Sequence, residues 1–195
     1  MFEQIGSLKY PTVQFSNANA FLTNFNNKIK PISKAIFFGD SNNQNLILQY
    51  EFEKDLWSRK EVPPNLVLQS YSLSIGLVDN NILITGGLNS CFTNVSGSVY
   101  MYNTESNQCS EKDQMMQSRY THALAYHGNY VYAIGGRSIN GVLESCERYS
   151  INMNRWEKIA DLNQKRCSMP AIVFEDSYIF IFGGYEGSGR MSSIE

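Results

Sequence analysis

The chain has 195 residues, of which 43% are hydrophobic and 13% aromatic, so it carries enough apolar material for a sizeable core. Its formal net charge is −2, only 17% of its residues are charged, and Lys and Arg are scattered, which argues against the basic surface typical of nucleic-acid binding. No run approaches the roughly 18 consecutive apolar residues that a transmembrane helix needs, so the sequence predicts no membrane span.

Residues 1–30 show the weakest pattern in the chain. They are rich in Asn and Phe but have neither helical nor alternating periodicity, and we interpret them as an extended arm or as strands that complete a sheet formed elsewhere, with a candidate strand at Ala20–Phe25. They also lack a basic segment followed by an apolar run, which predicts that there is no secretory signal and that the protein is cytoplasmic. The four cysteines have no Cys-x-x-Cys spacing, so we expect reduced thiols.

From about residue 31 onward, short apolar strands recur, and each ends at glycine. The complete glycine doublets are separated by steps of 49 and 48 residues, and a degenerate copy, Phe38-Gly39-Asp40, lies 47 residues before the first of them. A period of this size indicates an array of similar structural units. The doublets are Gly86-Gly87, Gly135-Gly136 and Gly183-Gly184.

A second set of residues follows the same period. Tyr50, Tyr102 and Tyr149 are each followed seven residues later by an aromatic residue or a cysteine, namely Trp57, Cys109 and Trp156. Two arginines, Arg119 and Arg166, precede the next doublet by 16 and 17 residues. Strands of this length separated by Gly, Asn, Asp and Ser are typical of antiparallel sheets, and four per unit would form a propeller blade.

The doublet, tyrosine and tryptophan at these offsets resemble the kelch repeat, over roughly residues 36–195. The resemblance implies an all-β, kelch-type β-propeller of four-stranded antiparallel blades. This propeller would be incomplete, with about four blades of which the first and last are partial. The predicted boundaries are 31–65, 66–117, 118–165 and 166–195, and residues 1–30 would then be an arm or part of the first or closing blade.

The repeat also predicts how neighbouring blades meet. We expect the glycines to let an aromatic side chain lie against the backbone, and the Tyr and Trp residues to fill the space between blades. The contact at Cys109 should be thinner, since cysteine replaces tryptophan there. Because propellers close with four to eight blades, we expect further residues of a longer polypeptide, or another subunit, to complete the array.

No residues form a recognisable catalytic, metal or cofactor site, so the sequence predicts none of these. His122 and His127 lie five apart on one strand-turn element, where His122 is expected to have a packing role. The glycine-rich segment 183–190 lacks the Gly-Lys-Ser/Thr ending of a phosphate loop, and the alternating acids at 51, 53 and 55 suit a solvated face. Similar propellers include sugar-acting enzymes, which leaves a sugar-processing enzyme as an alternative.

In kelch domains, the residues after the doublet and those that open the inner strand converge on one rim. Four of the corresponding positions here are Tyr71, Leu88, Cys167 and Glu186. Arg and Tyr are enriched in interface hot spots, so this set predicts contact with a protein, with an acidic segment as the favoured ligand. The alternative for Arg119 and Arg166 is a structural role, in which they bond carbonyl groups or a neighbouring Glu. The predicted partner-binding residues are Asn89, Arg119, Tyr120, Arg137, Ser138, Arg166 and Tyr185.

The resemblance implies a non-catalytic scaffold for protein–protein interaction. We expect a propeller segment within a larger chain or a multi-subunit assembly, of cytoskeletal or ciliary type. One alternative is the substrate-recognition module of a cullin-type ubiquitin ligase, although no N-terminal segment here resembles the BTB domain that usually marks that type. Mutating Arg137 and Tyr185 should separate an interaction module from an enzyme.

Overall fold

The computed structural model describes residues 34–38, 46–89 and 91–195, and the expectations for residues 1–30 and for Gly39-Asp40 lie outside these ranges. Within them the chain forms sixteen strands and no helix. The strands are β1 Lys34–Phe38, β2 Leu46–Glu51, β3 Leu56–Glu61, β4 Leu73–Gly76, β5 Asn81–Thr85, β6 Val99–Asn103, β7 Gln108–Lys112, β8 Ala123–His127, β9 Tyr130–Ile134, β10 Arg137–Ser138, β11 Gly141–Val142, β12 Cys146–Ser150, β13 Arg155–Lys158, β14 Ala171–Phe174, β15 Tyr178–Tyr185 and β16 Arg190–Ile194.

The strands form four antiparallel sheets in chain order, which are the blades. Blade 1 is β1-β2-β3, blade 2 is β4-β5-β6-β7, blade 3 is β8-β9-β12-β13 and blade 4 is β14-β15-β16, while β10 and β11 form a small hairpin within blade 3. The first strand of blade 3 contacts the first strands of blades 2 and 4, so consecutive sheets meet along their inner edges. This arrangement confirms the predicted fold class, an incomplete β-propeller.

The seven-residue interval between Tyr and Trp reflects a hairpin with a fixed hydrogen bond. Tyr149 lies directly opposite Trp156 on neighbouring strands, as Tyr102 lies opposite Cys109. In each hairpin the tyrosine hydroxyl donates to an asparagine five residues on, over 2.9 Å to Asn107 and 2.7 Å to Asn154. Both asparagines have left-handed backbone conformations, which Asn tolerates better than most residues. The hydroxyl therefore fixes the turn that brings the third and fourth strands together.

The core lies between blades rather than within them. Tyr149 and Trp156 of blade 3 are buried against Leu83 and Val99 of blade 2, which confirms the predicted role of these aromatics. The indole Nε1 of Trp156 also donates to the backbone carbonyl of Asp113, over 2.9 Å. At the preceding junction Cys109 is only partly buried at the edge of the equivalent cluster.

At the first glycine of two doublets, the nearest contact is with the main chain of the next linker rather than with an aromatic side chain. Gly86 has a φ of +61°, and a Cβ there would lie 2.2 Å from the backbone oxygen of Arg119. Gly135 has a φ of +52°, and its Cβ would lie 2.5 Å from the backbone oxygen of Arg166. Glycine is therefore required because the linker that leads to the next blade passes over the doublet with its main chain.

Candidate partner-binding rim

The residue after each doublet pairs with a residue just before the inner strand of the same blade. The paired residues form isolated antiparallel bridges between the doublet segment and the incoming linker, and their loops lie at one end of blades 2 to 4. We call this end the rim. The bridges are Ser70 with Leu88, Tyr120 with Arg137, and Cys167 with Tyr185.

This pairing aligns the linkers of the three blades. The residue after each bridge, Tyr71, Thr121 or Ser168, has a left-handed backbone with φ of 57°, 49° or 53°. The amide of Thr121 donates to the Tyr71 carbonyl, over 3.5 Å, and that of Ser168 donates to the Thr121 carbonyl, over 2.8 Å. These bonds connect the three blades at their inner edge. The residue before each bridge is Gln69, Arg119 or Arg166, so in blade 2 a glutamine occupies the position that an arginine has in blades 3 and 4.

Arg119 joins blade 2 to blade 3. Its backbone carbonyl accepts a hydrogen bond from the Gly87 amide, over 3.0 Å. Its guanidinium reaches blade 3, where Nη1 donates to the carbonyls of Gly135 and Ser145, both over 2.7 Å. Nη2 forms a 2.8 Å ion pair with Glu147, and only 1% of the Arg119 side chain is exposed. The residue is thus enclosed in the junction.

Arg166 repeats this arrangement between blades 3 and 4. Its carbonyl accepts from the Gly136 amide over 2.8 Å, and its guanidinium donates to the Gly183 carbonyl over 3.1 Å. It also pairs with Glu195 over 3.1 Å, and its side chain is 1% exposed. Both arginines therefore have the geometry of the structural alternative, which leaves them unavailable to a partner at the rim.

Glu147 is the buried residue that the sequence reasoning missed. Its carboxylate accepts from the amides of Met116 and Gln117, over 2.7 and 3.2 Å, in addition to Arg119. Glu195 has the equivalent place beside Arg166, 48 residues later. The two Arg–Glu pairs have nearly equal separations, 28 and 29 residues, and this was the signal that could have revealed them.

His122, the residue just before β8, is also buried. The Thr85 hydroxyl lies 3.4 Å from the Leu73 carbonyl oxygen, and it shares a buried 2.8 Å hydrogen bond with Nε2 of His122. Burial, together with the nearby positive charge of Arg119, lowers the pKa of His122 to about 3, so the ring stays neutral at pH 7. Within residues 34–38, 46–89 and 91–195 no three His, Cys, Asp or Glu side chains form a group that could hold a metal ion.

Three aromatic rings are clustered at the rim between blades 2 and 3. The rings of Tyr71 and Tyr120 have centroids 6.2 Å apart, and those of Tyr71 and Phe92 are 6.4 Å apart. Tyr71 is 41% exposed and Phe92 is 59% exposed. We call Tyr71, Phe92 and Tyr120 the aromatic cluster. Phe92 was not among the predicted residues, although it is an isolated aromatic in a loop of Asn, Ser and Thr.

Arg137 lies beside this cluster, and its guanidinium bonds to none of the residues that the structure describes. It forms two 2.9 Å backbone hydrogen bonds with Tyr120, one in each direction. Its side chain is half-buried, and its Nε is buried without a hydrogen-bond partner among the residues that the structure describes. No ion pair in the described part of the chain involves it. The Arg137 guanidinium therefore retains its hydrogen-bonding capacity, unlike those of Arg119 and Arg166.

The remaining predicted rim residues shape loops. The Asn89 carboxamide oxygen accepts from the amides of Thr93 and Asn94, over 2.8 and 3.0 Å. Ser138 is buried, and its hydroxyl bonds within the β10–β11 turn. The Tyr185 hydroxyl donates to the Gly187 carbonyl over 2.6 Å, within its own loop.

The radiating blades and the repeated doublets define a kelch-repeat β-propeller. The model of the Attractin/LZTR1 beta-propeller family matches residues 6–193, and the chain belongs to that family. Among curated relatives, Kelch repeat and BTB domain-containing protein 2 of Ectromelia virus (strain Moscow) is 38% identical over 112 residues, which is 57% of this chain and 20% of that protein. Human Kelch-like protein 23 is 29% identical over 144 residues, 72% of this chain and 25% of that protein.

A solved structure supports the fold alone. The structure of YjhT superposes with a TM-score of 0.65 at 12% identity, covering 77% of this chain and 48% of that one. The chain thus spans about a fifth to a quarter of the length of the curated relatives named here. None of the described residues belongs to a helix that could cross a membrane.

Proposed function

We propose that the chain is a non-catalytic protein-interaction module that holds its partner at the rim. The observation that carries the proposal is the half-buried Arg137 guanidinium, which has no hydrogen bond or ion pair within the described residues and lies opposite Tyr120. Membership of the kelch-repeat family supports it, since such propellers commonly serve as interaction modules. Asn89, Ser138 and Tyr185 contribute by fixing the loops of the same rim.

The chemistry of the rim favours an acidic partner segment. A guanidinium with unused donors binds carboxylates through charge-assisted, often bidentate, hydrogen bonds. Leaving Nε of Arg137 buried and unbonded costs free energy, and a carboxylate would recover it. Arginine and tyrosine are also the side chains most often found in interface hot spots.

The wider role is that of a scaffold segment within a larger chain or a multi-subunit assembly. The much greater length of the curated relatives supports this part of the proposal. The proposed setting is cytoplasmic, at a cytoskeletal or ciliary structure, with neither nucleic acid nor a cofactor as ligand. The two histidines of the chain give little support to a sugar-processing enzyme, because His122 is enclosed between blades.

A second candidate is the substrate-recognition module of a cullin-type ubiquitin ligase. It is favoured by relatives from Ectromelia and cowpox viruses that are named for kelch repeats together with a BTB domain. The BTB domain usually marks the ligase type in this family. In that case the rim would hold the substrate, and the proposed contacts at Arg137 would be the same.

The experiment compares Arg137→Gln with Arg155→Gln, a matched change of an exposed arginine on β13 of the same blade. Each full chain is tagged and expressed in its source cells, and co-purifying proteins are quantified by mass spectrometry. We expect Arg137→Gln to lose partners that Arg155→Gln retains. Cullin among the retained proteins would favour the second candidate. Equal partner sets for wild type and Arg137→Gln would contradict the proposed rim.

A further inference from the structure

We infer that the partner segment is bipartite: an aromatic or large aliphatic side chain packs on the aromatic cluster, and a neighbouring carboxylate bonds to Arg137. This inference rests on the proposed function and specifies the chemistry of its ligand. It adds Tyr71 and Phe92 to the binding surface, as the apolar half of the site.

The geometry of the cluster suits the insertion of a side chain. The ring planes of Tyr71 and Phe92 are inclined at 55°, and those of Tyr71 and Tyr120 at 53°. Rings inclined at these angles do not cover each other's faces, so apolar surface remains open between them. Exposed aromatic groups of this kind characterise interaction sites, where they bury large area at little cost in side-chain entropy.

The backbone at Phe92 has a left-handed conformation, in a loop that presents its side chain to solvent. Its φ is 57°, a left-handed value that costs a non-glycine residue of order 1–3 kcal/mol. The Phe92 amide donates to the Asn89 carbonyl over 2.9 Å, and the Asn89 amide donates to the Asn94 carbonyl over 3.0 Å. These bonds fix a loop whose aromatic side chain is 59% exposed. The conformation gains little burial within this chain, which is consistent with burial against a partner.

The charged half of the site lies on the same side of the sheet. Tyr120 and Arg137 are directly opposed in an antiparallel bridge, and such pairs have Cβ atoms about 4.5–5.5 Å apart on one face. An extended peptide advances about 3.3 Å per residue, so the apolar and acidic side chains of the partner should be roughly one to three positions apart. Aromatic clusters can also bind cations, but the charge of Arg137 disfavours a cation here.

The test selects peptides from a phage-displayed random 12-residue library on the 195-residue chain. We expect enriched peptides to combine Trp, Phe, Tyr, Leu or Ile with Asp or Glu within three positions. A synthetic peptide of the consensus sequence is then titrated by fluorescence anisotropy against wild type, Phe92→Ser and Arg137→Gln. The matched control is Val78→Ser, which removes an apolar side chain of similar exposure, 61%, from the β4–β5 turn.

Phe92→Ser and Arg137→Gln should each lose affinity by about tenfold or more, the loss typical of a hot-spot side chain, while Val78→Ser should bind as wild type does. Equal urea midpoints for all four proteins show that folding is unchanged, and Phe92→Tyr should retain most of the affinity. Peptides that depend on Arg137 but not on Phe92 overturn this inference and leave the proposed rim standing. Peptides enriched in Lys and Arg overturn this inference and also contradict the acidic partner segment proposed for the rim. Peptides indifferent to both variants, or a library without binders, overturn both.

Discussion

Replacing Arg119 with Met tests the physical account of how the blades are joined. The substitution keeps much of the aliphatic volume but removes the charge and every guanidinium donor. It leaves the Glu147 carboxylate, which is 2% exposed, without its ion-pair partner. The carbonyls of Gly135 and Ser145 also lose the guanidinium that bonds to them over 2.7 Å. Two backbone amides still reach Glu147, so part of its stabilisation remains.

The expected cost is large compared with the stability of an ordinary domain. Removing one partner of a buried ion pair costs about 3–5 kcal/mol, against a total of roughly 5–15 kcal/mol. Arg166→Met provides the internal comparison. It removes the ion-pair partner of Glu195, whose side chain is 21% exposed and can be hydrated. We therefore expect Arg166→Met to cost less, about 1–2 kcal/mol. The double variant Arg119→Met/Glu147→Gln should recover part of the loss.

The assay is equilibrium urea unfolding at pH 7, followed by tryptophan fluorescence. The free energies of unfolding of the single and double variants form a double-mutant cycle, which isolates the Arg119–Glu147 coupling. The reasoning is refuted if Arg119→Met costs no more than Arg166→Met, or if the cycle gives no coupling between the two side chains.

Three further predictions concern stability. Because burial and a neighbouring guanidinium lower the pKa of His122 to about 3, the unfolded chain takes up the proton first. Between pH 6.5 and pH 5 the wild type should therefore lose about 2 kcal/mol more than His122→Gln, as measured by urea unfolding at each pH; equal losses would contradict this. Gly86→Ala places a Cβ 2.2 Å from a backbone oxygen at a φ of +61°, so its thermal midpoint should fall well below that of Gly189→Ala, where the added Cβ would meet no residue other than its chain neighbours within 4 Å. Trp156→Ala should lower the free energy of unfolding by about 3–5 kcal/mol, whereas a near-zero change is expected for exposed Ile139→Ala; similar costs would argue against an interblade role.

The repeating architecture was predictable because each unit repeats the same physical requirement. Glycine recurs where a linker crosses the backbone, and Tyr with Trp recurs where one blade packs on the next. Strand pairing then follows from the short turns between apolar runs. Such local and periodic constraints are visible in a single sequence.

The contacts that define the site were less accessible, since they join residues from different units. Arg119 and Glu147 are 28 residues apart, and blade 2 has Tyr100 at the place of the glutamate, which hides the period. The exposure of Phe92 depends on the conformation of its loop rather than on residue type. A sequence pattern therefore placed Arg119, Arg137 and Arg166 near the rim without showing that only Arg137 has an unused guanidinium.

The most direct test of the central claim, that the rim of blades 2 and 3 holds the partner, is photo-crosslinking of a selected peptide carrying a benzophenone group, with mapping by mass spectrometry. We expect crosslinks at Tyr71, Phe92, Tyr120 and Arg137. Crosslinks confined to the turns at the opposite end of the blades, such as Val78–Asn80 or Gly128, would contradict it.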